Sequence, residues 1–390
     1  MKLSVIGFGQ CGCNIADEFY AVNNYAKSIF NGRVEILTDA FAINTDEADL
    51  GFFKNIPKDK THRILIGTLS AFGHGVGKIN TDAANIIRGS NSAVTDIILK
   101  SKRFHESDAV IAIASGGGGT GSGTIGFSIK ALKERVDKPV YAIIVLPFAF
   151  EERGNTSYAV MNTATSINTV SRYADAVFLV DNERYRKVGC NLAHNLQEIN
   201  KEIAKGFSDL CCAGEERRRR HIGSKVIDAG DIKQSLSGVS ILGRGEVSLP
   251  AFQWRKDHFR EAIKEQSLII GALRLAEGNS SLSIKLEDAR KILVLVVAPK
   301  DTMQVSTLEE ISNSLQERAS KSVVRIGDYP RKGHDVSVTL VASQLTRVPR
   351  IERLFLQAED LFKRQQEINE ESGTKIERMW EFGRNIPTLD

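Results

Sequence analysis

The first half of the chain alternates short apolar runs with stretches that have helical spacing or composition. The apolar runs are candidate strands: Lys2–Ile6, Arg33–Leu37, Arg63–Ile66, Ala109–Ala114, Val140–Leu146 and Ala176–Val180. The helix-like stretches between them are Asn14–Ser28, Asn80–Lys100 and Thr124–Arg135. This alternation predicts a Rossmann-like parallel sheet covered by helices, whose ligands bind at the carboxyl ends of the strands.

A long helix is predicted next, because apolar residues recur at spacings of three and four along one face. They are Leu192, Leu196, Ile199, Ile203, Phe207 and Leu210. We therefore expect an α/β protein with a nucleotide-binding domain at 1–190 and a central helix with its charged end at 191–222. An α+β C-terminal domain is expected at 223–390.

The C-terminal part mixes strand and helix patterns without a regular alternation. The candidate strands are Val239–Leu242, Leu282–Ile284, Lys291–Val297, Ser322–Ile326 and Asp335–Val341. The predicted helices are Asp257–Leu273, Thr307–Arg318 and an amphipathic terminal helix that includes residues 351–362.

Charge and cysteine content exclude several classes of protein. The 52 Lys and Arg residues are balanced by 48 Asp and Glu residues that are interspersed with them, so a nucleic-acid partner is not expected. The five cysteines form no disulfide framework and no zinc motif, so we expect a reducing compartment and no protein-held metal. With no signal peptide and no apolar run long enough to span a bilayer, the protein is expected in the cytoplasm.

Candidate chemistry begins at a glycine loop directly after the first strand. The segment Gly7–Asn14 fits G-x-G-x-x-G and opens a helix, where free amides and the helix dipole favour an anion. Acidic residues lie at a plausible distance, at Glu35 and Asp39, so an NAD(P)-dependent enzyme is a genuine alternative.

A second glycine loop argues against that alternative. Segment Ser115–Gly123 has six glycines in nine residues, between a strand and a helix, and predicts a second phosphate cradle. The P-loop pattern of ordinary NTPases does not occur.

Two weaker signals stay open on spacing alone. Gly73–Lys78 could face a terminal phosphate or form a plain turn before a helix. Asn44–Asp46 is read locally as a helix cap, with a functional role as the alternative.

Together these motifs resemble the tubulin/FtsZ superfamily of self-assembling GTPases. The string Gly117–Gly123 resembles the superfamily's phosphate loop, and Gly9–Gly12, Asn44–Asp46 and Pro147–Glu151 are supporting matches. The segments most similar to the archaeal CetZ branch are Gly73–Gly77, Asp181-Asn182 and Gly327–Arg331. The resemblance covers essentially the whole chain.

The resemblance implies a cytoskeletal GTPase that assembles head to tail into a homopolymer, with a role in cell shape or division. It implies GTP or GDP as ligand, with Mg²⁺ held mainly through the nucleotide. The implied nucleotide contacts are Gly9, Gln10, Cys11, Gly12, Cys13, Asn14, Asp46, Gly75, Gly77, Gly117, Gly118, Gly119, Thr120, Gly121, Ser122, Glu151, Asn155, Asn182 and Asn200. Glu151 and Asn155 are alternatives for the ribose contact, and Asn200 could instead be an ordinary exposed helix residue.

The same resemblance implies that Asp228 and Asp231 are catalytic and orient water on the GTP of the next subunit. From the sequence alone the favoured interpretation is structural, with Asp228 as N-cap and Asp231 complementing the helix dipole. The family's asparagine before this pair is Val226 here. A nucleotide-binding structural protein without efficient hydrolysis is therefore a further alternative.

Overall fold

The computed structural model describes residues 1–29, 34–153, 158–187, 189, 191–215, 225–248, 258–299, 303–331 and 335–383. Its strands are β1 (Leu3–Phe8), β2 (Leu37–Asn44), β3 (Arg63–Leu65), β4 (Ala109–Ser115), β5 (Val140–Leu146), β6 (Ala176–Asp181), β7 (Gly238–Ser248), β8 (Lys291–Ala298), β9 (Val323–Pro330) and β10 (Asp335–Ser343).

The helices up to the long central one are α1 (Gly9–Ile29), α2 (Glu47–Gly51), α3 (Asn80–Lys100), α4 (Lys102–His105), α5 (Thr120–Lys133), α6 (Tyr158–Val170) and α7 (Leu192–Glu215). The later helices are α8 (Ala229–Ser235), α9 (His258–Gly278), α10 (Val305–Arg318) and α11 (Pro349–Gly383). Short 3-10 helices lie at Asn182–Tyr185 and Leu286–Asp288.

The strands form one ten-stranded sheet in the order β3-β2-β1-β4-β5-β6-β7-β10-β8-β9. The pairs from β3 to β7 are parallel, and β10 runs antiparallel to both β7 and β8. The mostly parallel α/β architecture that the sequence predicts is confirmed. Strand β7 joins the halves, because it pairs with β6 on one side and β10 on the other.

The parallel strands are buried on both faces because helices cover both. In β1, Ile6 and Phe8 join one apolar cluster while Leu3 and Val5 join the other. The second cluster also takes most of the predicted stripe of α7, including Ile199 and Phe207, whereas Leu192 at the start of the stripe is exposed. The central helix therefore packs along the sheet and belongs to the core.

Two strand predictions are wrong. The second strand is β2, several residues later than the predicted Arg33–Leu37; its polar Thr38 and Asp39 are buried but bonded internally. Residues 282–284 form no strand, and Leu282 contributes only its buried side chain to the core.

The remaining predicted elements agree with the structure apart from their ends, and α3 and β5 agree throughout. Of the expected central segment, residues 216–222 lie outside the described residues. Among the helices that the structure describes, none combines the length and the apolar content needed to cross a bilayer.

Candidate functional site

The three glycine loops meet at the carboxyl edge of the sheet and line one cavity of about 300 Å³. The predicted residues that line it are Gly9, Gln10, Cys11, Asp46, Gly75, Gly77, Gly117, Gly118, Gly119, Thr120, Gly121 and Glu151. Two other clefts of similar volume, about 330 and 270 Å³, border no glycine loop. The loops thus form a single shared site.

The first loop starts α1 directly at the cavity, so the free amides of a helix N-terminus face it. Gly12 allows this close packing: a Cβ there would lie 2.1 Å from the Ile113 carbonyl oxygen. The Cys13 side chain is buried away from the cavity, and its thiol donates to the Gly7 oxygen at 3.3 Å. The side chain therefore packs inside the loop, and the implied nucleotide contact of Cys13 stays a prediction that its backbone amide would have to fulfil.

Cys11 does line the cavity, beside Glu151. Burial, with a contribution from the nearby Glu151 carboxylate, raises the pKa of the Cys11 thiol to about 12. The thiol is therefore neutral and puts no negative charge into a pocket for phosphate.

The second loop leaves one glycine open to the cavity. A Cβ at Gly118 would meet no protein atom within 4 Å, whereas a Cβ at Gly119 would lie 2.7 Å from Val76 Cγ2. The Ser122 hydroxyl turns back to donate to the Gly118 oxygen, and the residue is 6 % exposed. Ser122 therefore braces the loop from within, and its implied contact with phosphate stays a prediction.

The third loop, Gly73–Lys78, packs on the end of β2 and on the second glycine loop. This packing bears on the two segments whose roles the sequence left open, Gly73–Lys78 and Asn44–Asp46. Asp46 caps α2, accepting the Asp49 amide at 3.1 Å, and also lines the cavity. His74 forms a bridge with Asp46, and Gly75 and Gly77 adopt positive φ of 77° and 56°. Gly73–Lys78 is therefore part of the site and more than a connecting turn.

Asp49 is a cavity residue that the sequence reasoning missed. Its carboxylate accepts from Gln10 Nε2 at 2.9 Å and from Asn44 Nδ2 at 3.0 Å. Burial and the neighbouring Asp46 carboxylate raise the pKa of Asp49. The spacing of Asp46 and Asp49, one helical turn apart, was the available signal.

Asn162 of α6 was also missed. It is 2 % exposed, and its Nδ2 donates to the carbonyl oxygens of Lys78 at 2.8 Å and Gly118 at 3.0 Å. One amide therefore ties the third loop to the phosphate loop. Nothing in the local sequence distinguishes this asparagine from an ordinary helix residue.

The implied nucleoside contacts are more scattered. Glu151 lines the cavity and accepts the Phe148 amide at 2.9 Å, whereas Asn155 lies outside the described residues. Asn182, in the 3-10 turn after β6, is 7 % exposed, and its Oδ1 has no hydrogen-bond partner among the described residues. Such an orphaned oxygen is suited to a donor from a ligand.

Asn14 and Asn200 are half-buried on α1 and α7, two helices that pack together. Asn182, Asn14 and Asn200 all lie outside the lining of the phosphate cavity itself. The structure therefore gathers most of the implied phosphate contacts into one cavity, whereas Gly12, Cys13, Ser122 and these three asparagines do not line it.

The two candidate catalytic aspartates lie at the other end of α7. Its 24 residues span about 36 Å, and its last turn lies at the amino edge of the sheet, where the Met1 nitrogen donates to the Cys211 oxygen. Asp228 and Asp231 form a capping box on α8, with the Asp231 amide 2.8 Å from Asp228 Oδ1. The structural interpretation of the pair is correct locally, and no phosphate loop of the same chain is near it.

Comparison with protein-family models gives two matches along the chain. Residues 2–189 match the model described as Tubulin/FtsZ family, GTPase domain. Residues 189–360 match the model of the tubulin-like CetZ C-terminal domain.

Curated relatives cover nearly the whole chain. CetZ1 of Haloferax volcanii is 31% identical over 371 residues, which is 91% of each chain. CetZ of Pyrococcus furiosus is 26% identical over 97% of this chain and 95% of the relative.

Solved structures of similar proteins have the same fold. The GDP-bound monomer of Haloferax volcanii CetZ1 has a TM-score of 0.78 at 30% identity, covering 94% of this chain and 100% of the other. The GTPγS-bound protofilament of CetZ2 from the same organism has a TM-score of 0.79 at 27% identity, with the same coverage.

Proposed function

Because this chain belongs to the tubulin/FtsZ family, in its CetZ group, we propose that it is a cytoskeletal GTPase that assembles head to tail into filaments. The observation that carries the proposal is the cavity shared by three glycine loops at the carboxyl edge of the sheet. A dinucleotide-binding fold uses one glycine loop, whereas three loops line this cavity. The geometry therefore favours a nucleoside triphosphate over NAD(P).

The phosphates are assigned to the amides of the first two loops. Gly9–Gly12 and Gly117–Gly121 present main-chain donors at the N-termini of α1 and α5, where helix dipoles favour negative charge. Gly118 supports this assignment because its open face leaves room for a phosphate at the backbone.

Guanine is assigned to the amide groups of Asn182 and Asn200. A carboxamide offers both a donor and an acceptor to the polar edge of the base. Adenine would leave buried groups unpaired, at about 1–3 kcal/mol each, so GTP should outcompete ATP. Glu151 is assigned to the ribose side, with Asn155 as the alternative.

A magnesium ion is assigned to the acidic side of the cavity. Asp46 and Asp49 bring hard oxygen donors to the cavity, and the structure describes no cluster of three or more ligating side chains. The ion would therefore be held mainly by the nucleotide. When bound it would neutralise charge that develops on the phosphate oxygens.

Hydrolysis is assigned to the contact between two subunits. Asp228 and Asp231 lie on the helix that leads into the start of β7, at the amino edge of the sheet, and neither lines the cavity at the carboxyl edge of its own chain. Head-to-tail stacking would bring them to the neighbour's cavity, and such a heterologous contact propagates into a filament. The GTPγS-bound protofilament of CetZ2 supports this arrangement. The protein would act in the cytoplasm, in cell shape or division.

The test is GTP turnover per subunit as the protein concentration rises, with filaments followed by electron microscopy. We expect negligible turnover below a threshold concentration and a steep rise where filaments appear. Strictly monomeric protein hydrolysing GTP at the full rate would contradict a shared site. Filaments that form with GTP but never hydrolyse it would support the structural-protein alternative.

A further inference from the structure

The first turn of α11 reaches across to the nucleotide-binding half through one arginine. Arg350 Nε lies 3.2 Å from Asp181 Oδ2, and its Nη2 contacts Glu152 Oε1. The three side chains are only 15, 10 and 12 % exposed. We propose that Arg350 is a positioning residue that sets the nucleoside end of the site, and with it the preference for guanine.

Each carboxylate that Arg350 holds adjoins an assigned nucleoside contact. Glu152 follows Glu151, whose side chain lines the cavity. Asp181 precedes Asn182, whose buried Oδ1 is unpaired among the described residues. Neither carboxylate lines the cavity of the glycine loops, so we expect Arg350 to act mainly on the base and ribose side. This inference rests on the proposed function.

The two segments that Arg350 bridges are also joined to each other. Glu183 Oε2 accepts the Ala149 amide at 3.0 Å, and Asp181 Oδ1 accepts the Glu183 amide at 3.2 Å. The segment after β5 and the turn after β6 are therefore joined into one hydrogen-bonded unit. Arg350 fixes that unit to the C-terminal half.

The chemistry favours arginine specifically. A guanidinium is a planar fork with several donors in fixed directions, so it can engage two carboxylates at once. A lysine keeps the charge but places its three donors on one nitrogen, so it cannot hold both carboxylates in the same geometry. Arg350→Lys, which keeps the positive charge, should therefore not restore the preference for guanine.

The experiment measures dissociation constants for GTP and ATP, and their ratio, in wild type and two variants. Arg350→Lys keeps the charge. The triple change Arg350→Met, Glu152→Gln and Asp181→Asn leaves no buried charge unpaired, and asparagine can still cap the turn. The matched control is Arg244→Lys, because Arg244 is equally buried and pairs with buried Asp209 on α7 at 2.8 Å.

We expect both Arg350 variants to lower the preference for GTP over ATP by about tenfold or more, while Arg244→Lys keeps it. The midpoint temperature of thermal unfolding without nucleotide should fall by a similar amount in the two lysine variants. An unchanged preference in both Arg350 variants, or an equal loss in Arg244→Lys, would overturn the inference while the proposed function stands. Wild-type protein that does not bind GTP would overturn the proposed function itself, and the inference with it.

Discussion

The two ends of α7 present opposite kinds of surface. At the carboxyl edge of the sheet, three loops surround a cavity that keeps an open glycine face at Gly118 and an orphaned amide oxygen at Asn182 nearby. At the other end, Asp228 and Asp231 satisfy each other in a capping box, and Asp228 is exposed. The first end offers space and polar groups to a ligand, whereas the aspartates of the second end bond within their own helix start.

The contrast explains why the structure of one chain does not reveal a catalytic role for the two aspartates. Their hydrogen bonds form the capping box that begins α8, so the local structure indicates a helix cap and gives no sign of a catalytic role. They acquire a role only if another molecule's cavity is brought to them. The loops, by contrast, indicate a ligand even in isolation.

The largest effect is expected from Gly118→Val at the cavity end. The new side chain meets no protein atom but fills the space assigned to phosphate, so the fold should survive while GTP affinity falls at least about 100-fold, or ~3 kcal/mol. Calorimetric titration with GTP and urea unfolding measure the two quantities. Unchanged affinity would exclude this loop as the cradle.

Gly12→Ala is the contrasting change in the same region. Its Cβ would lie 2.1 Å from the Ile113 oxygen, so here we expect lost stability of the whole domain, not a selective binding defect. A stable Gly12→Ala protein would show that the packing of the first loop is looser than the structure indicates.

The next effect concerns the aspartate end. Asp231→Ala should bind GTP normally, hydrolyse it about 100-fold more slowly, and form longer-lived filaments. Asp228→Asn sharpens the test because asparagine is an equally good cap, so stability should hold while turnover falls. Phosphate release and unfolding are measured on the same samples. Full turnover in both variants would leave capping as the only role of the pair.

Much of this contrast could be predicted from the sequence, because it rests on short-range signals. Glycine loops between strand and helix predicted the cavity, and the alternation of β1, β4 and β5 with helices predicted the parallel sheet. The position of β2 along the chain was predicted too early, because buried Thr38 and Asp39 interrupt its apolar pattern. The hydrogen-bond partners of these two residues come from distant segments.

Other parts of the site depend on contacts that no local pattern encodes. Asn162 is 84 residues from Lys78 in the sequence, and Arg350 is 169 residues from Asp181. Only the folded structure reveals these roles.

A smaller effect is expected from Asn162→Ala, which would loosen the join between two cavity loops. Two buried carbonyl oxygens lose their donor, so we expect a loss of about 1–3 kcal/mol in stability and roughly tenfold in GTP affinity. Asn91→Ala is the control, because its Nδ2 donates to the Phe127 oxygen away from the loops. An equal loss of affinity in both variants would mean that Asn162 acts on stability alone.

The smallest effect is a pH dependence in the nucleotide-binding half. His62 lies between Asp39 and Asp59, and its hydrogen bonds to these carboxylates, Asp39 first, raise the pKa of the imidazole despite burial. Because the folded pKa lies above the unfolded value of about 6.5, the added stability is complete below that pH and is lost as pH rises through the folded pKa.

We expect this stabilisation to be under about 1 kcal/mol, since the pair with Asp59 is exposed. Unfolding of wild type and His62→Gln between pH 5.5 and 9 measures it. The stability difference between the two proteins should shrink as pH rises, and a difference that is constant with pH would contradict this role for His62.

The most direct test of a site divided between two molecules is a mixing experiment. Gly118→Val cannot bind GTP but keeps its aspartates, and Asp231→Ala binds GTP but lacks one of them, so a mixed contact can combine the intact halves. We expect GTP turnover of a one-to-one mixture to exceed clearly the sum of the two variants measured alone. Turnover equal to that sum at every protein concentration would contradict a site shared between subunits.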